Sequence, residues 1–195
     1  YEDFKHAFVS EAERLKIGPP SDPETQLGPV MSEPHFRKVL SYIALAREEG
    51  GNILCGGDRV EPAECGGWFI APTVIEGLPM GSRFCQDEIF GPVVSLHAFD
   101  DDNHALALAN QSRYGLAASV WTNDLARAHR MAAQLECGIV WINTWMQRDL
   151  RTPFGGIKNS GLGREGGNHS VDFYTEQSIV HVALGDTHVP LLGAH

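Results

Sequence analysis

The residue types best suited to chemistry include four cysteines and nine histidines. No two cysteines form a C-x-x-C pair, and no two histidines form an H-x-x-x-H pair. Because zinc sites are usually built from such closely spaced ligands, the sequence does not predict a metal site. A chain of 195 residues can bury a core large enough to fold without cross-links. We therefore expect reduced thiols rather than disulfides, and a cytoplasmic location.

A second feature with chemical potential is a run of glycines. Gly161, Gly163 and Gly166 match the G-x-G-x-x-G fingerprint, whose glycines let the backbone approach a dinucleotide pyrophosphate. That fingerprint functions directly after a buried strand, and no hydrophobic strand precedes Gly161. We therefore interpret these glycines as a tight loop that needs positive φ angles or close backbone approach. The sequence contains no P-loop and no G-x-S-x-G nucleophile motif.

Predicted helices that could position functional residues begin near the N-terminus. Apolar residues at helical spacing predict one helix over 4–15. A second is predicted to begin after the cap Ser32 and to end at Gly50-Gly51. Its inward face is predicted to include Phe36, Val39, Leu40, Ile43 and Ala44.

Strands are predicted to alternate with further helices along the middle of the chain. The predicted strands cover 52–55, 68–78, 93–99, 116–121 and 139–142. One helix is predicted from the acidic cap 100–102 to Ala109, and another from the cap Asn123, with Leu125 and Ala128 inward. Because this alternation is typical of crossover connections, we expect an α/β fold with a parallel sheet covered on both faces.

The C-terminal part follows a different pattern. A glycine-rich loop over 154–167 precedes a helical turn around 171–173, and an alternating strand is predicted over 176–184. A strand that follows a complete domain often pairs with another subunit. We therefore divide the chain into a domain of residues 1–175 and an oligomerisation strand and tail of residues 176–195, and expect a homo-oligomer.

Charge and hydropathy disfavour several classes of partner. The formal net charge is -10 and the pI is about 5.3, whereas nucleic-acid binding depends on clustered Lys and Arg. No apolar run approaches the roughly 20 residues of a membrane helix. The first residues resemble no secretory signal, and Tyr1 in place of Met leads us to expect an excised or truncated start. We expect neither a nucleic-acid partner nor a membrane segment.

Four segments, in this order, resemble the aldehyde dehydrogenase superfamily. They are GGWFIAPTV at 66–74, EIFGPV at 88–93, YGLA at 114–117 and PFGGIKNSG at 153–161. The resemblance extends over about residues 1–184 and implies the C-terminal portion of that family's three-layer catalytic domain. It also implies NAD(P)-dependent oxidation of an aldehyde to a carboxylic acid. RDLRTPF at 148–154 and REGG at 164–167 are similar to the 2-hydroxymuconic and 2-aminomuconic semialdehyde dehydrogenase branch.

The resemblance implies roles for individual residues. Glu88 matches a glutamate that binds the nicotinamide ribose, and Phe90 matches a phenylalanine beside the cofactor. A carboxylate can accept hydrogen bonds from two vicinal hydroxyls, and an aromatic ring can hold a planar ring in place. Phe154 matches an aromatic residue of the substrate tunnel, Asn143 lies near the family's site, and Glu165 matches a proposed proton relay. The alternatives are a plain loop carboxylate for Glu88 or Glu165, and a loop-backbone contact for Asn143.

Substrates of the semialdehyde branch carry a carboxylate, for which two arginines are candidates. The guanidinium fork suits bidentate carboxylate binding, and hydrogen bonds to charged groups contribute about 1.5 to 3 kcal/mol. At about 1.4 kcal/mol per tenfold, one arginine would favour an acidic substrate by about 10- to 150-fold. We nominate Arg151 first and Arg148 second. The alternative is a surface salt bridge, such as Arg148 with Asp149 or Glu165.

The family's nucleophilic cysteine, its general-base glutamate and its main dinucleotide domain have no counterpart in this sequence. Cys85 is near Glu88 in the chain but is expected to be structural. We therefore expect NAD or NADP to bind the intact parent and not the isolated chain, which is predicted to be inactive. The alternative is a non-catalytic truncated relative that acts as a structural or interaction protein.

Overall fold

A computed structural model describes residues 1–62 and 65–186 of the protein. The helices described are α1 Glu2–Glu13, α2 Glu33–Glu48, α3 Arg83–Gln86, α4 Asp102–Asn110, α5 Leu125–Gln134 and α6 Gly167–Tyr174. The strands described are β1 Asn52–Cys55, β2 Arg59–Val60, β3 Phe69–Ile70, β4 Thr73–Glu76, β5 Val93–Leu96, β6 Tyr114–Gly115, β7 Ala117–Val120, β8 Ile139–Ile142 and β9 Ile157–Lys158. The alternation of helix and strand confirms the predicted α/β class.

The strands pair in small groups. β4 and β5 are parallel, as are β7 and β8, and α3 and α5 respectively lie in the connections between them. The remaining pairs, β1 with β4, β2 with β3 and β6 with β9, are antiparallel. Between β1 and β4 the described chain has the short β2–β3 pair and no crossover helix, so an antiparallel arrangement is the accessible one.

Helix α2 is the centre of the larger apolar core. Ser32 caps it by accepting a hydrogen bond from the His35 backbone N–H at 3.4 Å, and Gly50 follows its end with a φ of 89°, as predicted. Its buried residues are Phe36, Val39, Ile43 and Ala46. The prediction that Ala44 faces inward is wrong: Ala44 is exposed, because Ala46 continues the i, i+3 row from Ile43.

Helix α5 begins one residue later than predicted. Asp124, rather than Asn123, is the N-cap, and its carboxylate accepts a hydrogen bond from the Arg127 backbone N–H at 3.0 Å. Ala128 is buried as predicted, but Leu125 is 70% exposed. Leu125 lies three positions before Ala128, on the same helix face, but it is the first residue of the helix and its side chain is exposed, so the prediction that it faces inward is wrong.

The segment 176–184 forms no strand with any described part of the chain. Ile179, Val180, Val182 and Leu184 are 70% to 96% exposed. A β-strand needs a hydrogen-bonding neighbour, and no described strand lies beside this segment, so the alternating pattern alone does not produce one. Its pairing with another subunit remains a prediction, and residues 187–195 of the predicted tail lie outside the described residues.

Across residues 1–62 and 65–186, no helix is both long and apolar enough to cross a bilayer.

Candidate functional site

The Glu88 segment is the loop between α3 and β5, and α2 holds it through its backbone. Lys38 Nζ donates to the Glu88 carbonyl at 2.7 Å, and His35 Nε2 lies 2.7 Å from the Phe90 carbonyl oxygen. Phe90 has a φ of 61°, and its side chain leaves the core. Glu88 is exposed and Phe90 is 78% exposed. Both predicted cofactor-binding side chains are therefore accessible, and the backbone that carries them is held by contacts with α2.

The glycine-rich loop is built on close backbone contacts. Phe154 and Glu165 form an antiparallel bridge, in which each N–H donates to the other's carbonyl, at 2.7 Å and 2.8 Å. At the base of this loop, a Cβ added to Gly138 would lie 1.7 Å from the Gly155 carbonyl oxygen, so no side chain fits there. The φ of Gly163 is 73°, which confirms a conformation that favours glycine.

Three of the predicted site residues meet at this loop. The Arg148 guanidinium lies 4.4 Å from the centre of the Phe154 ring, and its Nη2 donates to Glu165 Oε1 at 3.0 Å. A cavity of about 340 Å³ is lined here by Phe154, Glu165 and, from α6, Phe173 and Tyr174, among others. The cavity combines this apolar wall with the charged side chains of Arg164 and Glu165, and Arg148 packs on Phe154 without lining the cavity. It can therefore hold a small molecule that has an apolar body and a charged end.

Arg151 lies on the same short segment but is paired with a different residue. Its guanidinium binds Asp149 in a bidentate pair, with Nε to Oδ1 at 2.9 Å and Nη2 to Oδ2 at 2.6 Å. Its side chain is 89% exposed. The hydrogen bonds from Arg151 hold the pKa of Asp149 below its usual range. The structure therefore brings Arg148, and not Arg151, to Phe154.

Asn143 has a backbone role in the structure. Its Oδ1 accepts a hydrogen bond from the Thr122 N–H at 2.8 Å, and its Nδ2 donates to the Thr122 carbonyl at 2.8 Å. Its φ of 52° is in the left-handed region, which asparagine tolerates better than most residues. Asn143 thus ties the loop after β7 to the end of β8, which is the alternative weighed from the sequence.

A second cavity of about 420 Å³ is bordered by the Glu88 segment and the glycine-rich loop. Glu88 lines it together with Tyr114, Gly115 and Ser160. Ser160 and Leu116 also line the cavity beside Phe154. The Glu88 segment and the glycine-rich loop therefore border adjacent cavities, although the residues concerned are about 70 positions apart in the sequence.

Two features of this region were not predicted from the sequence. Ser160 Oγ accepts a hydrogen bond from the Gly115 N–H at 3.0 Å, and Arg113 bonds to the segment before Glu88.

Cys85, expected to be structural, packs against the α2 core with its Sγ 3.7 Å from His97 Nε2. Burial lowers the pKa of His97. The described residues contain no group of three metal-ligating side chains.

The family assignment rests on sequence and fold together. The model of the aldehyde dehydrogenase family matches residues 1–180, and the chain belongs to this family. It is 48% identical to the 2-hydroxymuconic semialdehyde dehydrogenase of Pseudomonas sp. (strain CF600), over 94% of this chain and 38% of that protein. It is 45% identical to a 2-aminomuconic 6-semialdehyde dehydrogenase of Pseudomonas sp., with the same coverage.

Solved structures agree with this assignment. The crystal structure of HpcC from Thermus thermophilus matches with a TM-score of 0.87 and 42% identity, over 99% of this chain and 38% of that one. A betaine aldehyde dehydrogenase from Staphylococcus aureus, crystallised in complex with NAD+, matches with a TM-score of 0.85 and 38% identity, over 89% of this chain and 35% of that one. The chain thus spans little more than a third of these relatives.

Proposed function

We propose that the full-length protein containing this chain is an NAD-dependent aldehyde dehydrogenase, and that its substrate is a semialdehyde bearing a carboxylate. The observation that carries the substrate class is Arg148, held against Phe154 at the edge of the glycine-rich loop, with Arg151 on the same short segment. The 2-hydroxymuconic and 2-aminomuconic semialdehyde dehydrogenases of Pseudomonas are similar to this chain over 94% of its length, which supports the same substrate class here.

The residues of the Glu88 segment fit NAD. Glu88 offers an exposed carboxylate, which suits two neighbouring ribose hydroxyls, and Phe90 offers an exposed ring suited to a planar group. When bound, NAD supplies a hydride acceptor. The contribution of this chain is orientation, because the contacts from Lys38 and His35 fix the backbone from which both side chains project.

Both arginines would bind the substrate carboxylate by exchanging partners. In the structure Arg148 is paired with Glu165 and Arg151 with Asp149, and all four side chains are 43% to 89% exposed. An incoming carboxylate replaces one charge-assisted pair with another, so the exchange costs little. Phe154 keeps the Arg148 guanidinium in place during the exchange. Release from Arg148 would free Glu165 for the proposed proton relay.

A matched pair of substrates tests the substrate class. For the full-length protein, NADH formation is measured with a semialdehyde acid and with its methyl ester. Arg148→Ala and Arg151→Ala are expected to raise KM for the acid by about 10-fold or more, because a charge-assisted hydrogen bond is lost, and to change KM for the ester by less than twofold. Arg14→Ala is the control, because Arg14 is 71% exposed and pairs with Glu11 on α1. Equal effects on both substrates would contradict the proposal.

The chain by itself is proposed to be inactive, because the family's nucleophile, its general base and its main dinucleotide domain have no counterpart in it. The matching test is NAD titration of the 195-residue chain. We expect no measurable affinity, and micromolar binding would refute the expectation. Full-length copies are proposed to associate through the 176–184 segment, whose apolar side chains are exposed in this chain.

A further inference from the structure

Asp87 directly precedes Glu88, and side chains from three other parts of the chain contact its carboxylate. Its Oδ2 accepts a hydrogen bond from the Tyr42 hydroxyl of α2 at 2.9 Å. Its Oδ1 pairs with Arg113 Nη2, and Arg83 Nε of α3 lies 3.6 Å from Oδ2. The Asp87 side chain is 20% exposed. The hydrogen bond from Tyr42 and the positive charge of Arg113 lower the pKa of Asp87, so the carboxylate is ionised at neutral pH.

The Arg113 side chain binds the residues just before Glu88 at two points. Besides its contact with the Asp87 carboxylate, its Nε donates to the Gln86 carbonyl at 3.0 Å. A guanidinium has a rigid fork of donors, so two simultaneous contacts restrict both the position and the orientation of the segment they bind. Residues 86 and 87 are therefore fixed immediately before the predicted cofactor-binding Glu88.

The backbone of Arg113 is joined to the opposite side of the site. Its carbonyl accepts a hydrogen bond from the Asn159 N–H at 3.0 Å. The next residue, Tyr114, begins β6, which pairs with β9 inside the glycine-rich loop through Tyr114–Lys158 and Gly115–Ile157. Lys158 Nζ returns to the Ser112 carbonyl at 3.0 Å. The strand that starts at Arg113 and the loop that carries Phe154 are thus one hydrogen-bonded unit.

From these contacts we infer that Arg113 is a positioning residue that fixes the distance between the Glu88 segment and the glycine-rich loop. The inference rests on the proposed function. Hydride transfer requires the nicotinamide and the substrate carbon to be held in a fixed geometry, and a small displacement far from the reacting atoms can cost about 100-fold in rate. Arg113 joins the two segments that hold these partners: its side chain is bonded to one and its backbone to the other.

The test uses the full-length protein with Arg113→Ala, Arg113→Lys and Arg83→Ala. Arg83 is the matched control, because it is also an arginine near Asp87 but is 69% exposed and lies on α3, away from the glycine-rich loop. We expect Arg113→Ala to lower kcat/KM for NAD at least tenfold, Arg113→Lys to lower it less, and Arg83→Ala to stay within twofold. Millimolar guanidinium should restore part of the activity of Arg113→Ala, which a general loss of folding would not allow.

A change below twofold in Arg113→Ala, or an equal loss in Arg83→Ala, would overturn the inference. If Arg113→Ala yields no folded protein, Arg113→Lys decides, with a threefold loss as the threshold. NAD titration without aldehyde separates this inference from the proposed function. If the unmutated protein binds NAD but forms no NADH, the proposed function fails. The dissociation constants for NAD then test the positioning role, which is overturned if the value for Arg113→Ala is less than twice that of the unmutated protein. No NAD binding by unmutated protein overturns both.

Discussion

The region around α2 and the region after β8 are stabilised in different ways. In the first, Val39, Ile43 and Ile75 are fully buried. In the second, from 143 to 186, Gly156 is the single described residue classed as buried, and order comes from backbone bridges, close glycine contacts and ion pairs. The comparison indicates that the first region carries its own core. The second leaves its large apolar side chains exposed in this chain.

The largest expected effect is in the first region. Ile75→Ala removes a fully buried side chain from β4 and should reduce the free energy of unfolding by about 2 to 5 kcal/mol, as measured by urea denaturation. Val180→Ala is the control, because Val180 is 82% exposed in this chain, and should change the value by less than about 0.5 kcal/mol. Similar losses for both variants of the 195-residue chain would contradict the comparison.

The next effect is in the second region and concerns association. Aspartate at both Ile179 and Val182, in the full-length protein, should weaken self-association by about tenfold or more, because charges placed in an apolar strand interface lose hydration. Light scattering after size-exclusion chromatography measures the mass. Aspartate in place of Gln177 and Ser178, which are polar neighbours, is the matched control. An unchanged oligomer in the first variant would show that this segment does not form the contact.

A smaller effect is expected at the start of α5. Asp124→Ala removes the cap of the Arg127 N–H and should cost about 1 kcal/mol in the free energy of unfolding. Asn123→Ala should cost less than about 0.5 kcal/mol, because Asn123 is not the cap. Thermal or urea unfolding of the two variants under identical conditions decides between the positions. A larger loss for Asn123→Ala would reinstate the cap predicted from the sequence.

The last prediction concerns stability at acid pH, and it tests whether the polar contacts of the first region also contribute to the free energy of unfolding. The folded-state pKa of Asp87 is lowered, mainly by the hydrogen bond from Tyr42. Its contribution to stability is therefore present above the unfolded-state pKa of about 3.9 and is lost as pH falls through the lower folded-state value. Urea unfolding of Asp87→Asn should show a shallower decline in stability between neutral pH and acid than the unmutated protein. A decline of equal steepness would contradict this.

Patterns of local spacing predicted much of the fold. Ser32 and the acidic cap before α4 were identified because capping depends on residue type within three or four positions. Neighbouring candidates were harder to separate: Asn123 and Asp124 both have suitable side chains, and only the turn geometry distinguishes them. The direction of β1 depended on the connection after it, which β-propensity does not reveal.

The candidate site was predictable residue by residue and only in part as an arrangement. The sequence analysis weighed a surface salt bridge of Arg148 with Glu165 as the alternative to substrate binding, and the structure contains that salt bridge. The backbone bridge between positions 154 and 165, which brings Phe154 to the same place, was not predicted. Arg113 was not identified, because its contacts with Gln86 and Asp87 join residues about 26 positions apart, with no periodicity to mark them. Irregular loops place such pairs by three-dimensional packing, for which a linear pattern has no signal.

The contact between Gly138 and the Gly155 carbonyl has a consequence for the engineering of new substrate preferences. Because a single added methyl group would overlap the carbonyl oxygen, no residue larger than glycine fits at position 138, at the base of the glycine-rich loop. Mutational libraries directed at this base should yield mostly misfolded protein. Residues 148–151 are exposed and contact the rest of the chain mainly through ion pairs, so this segment is the place to diversify while the scaffold stays intact.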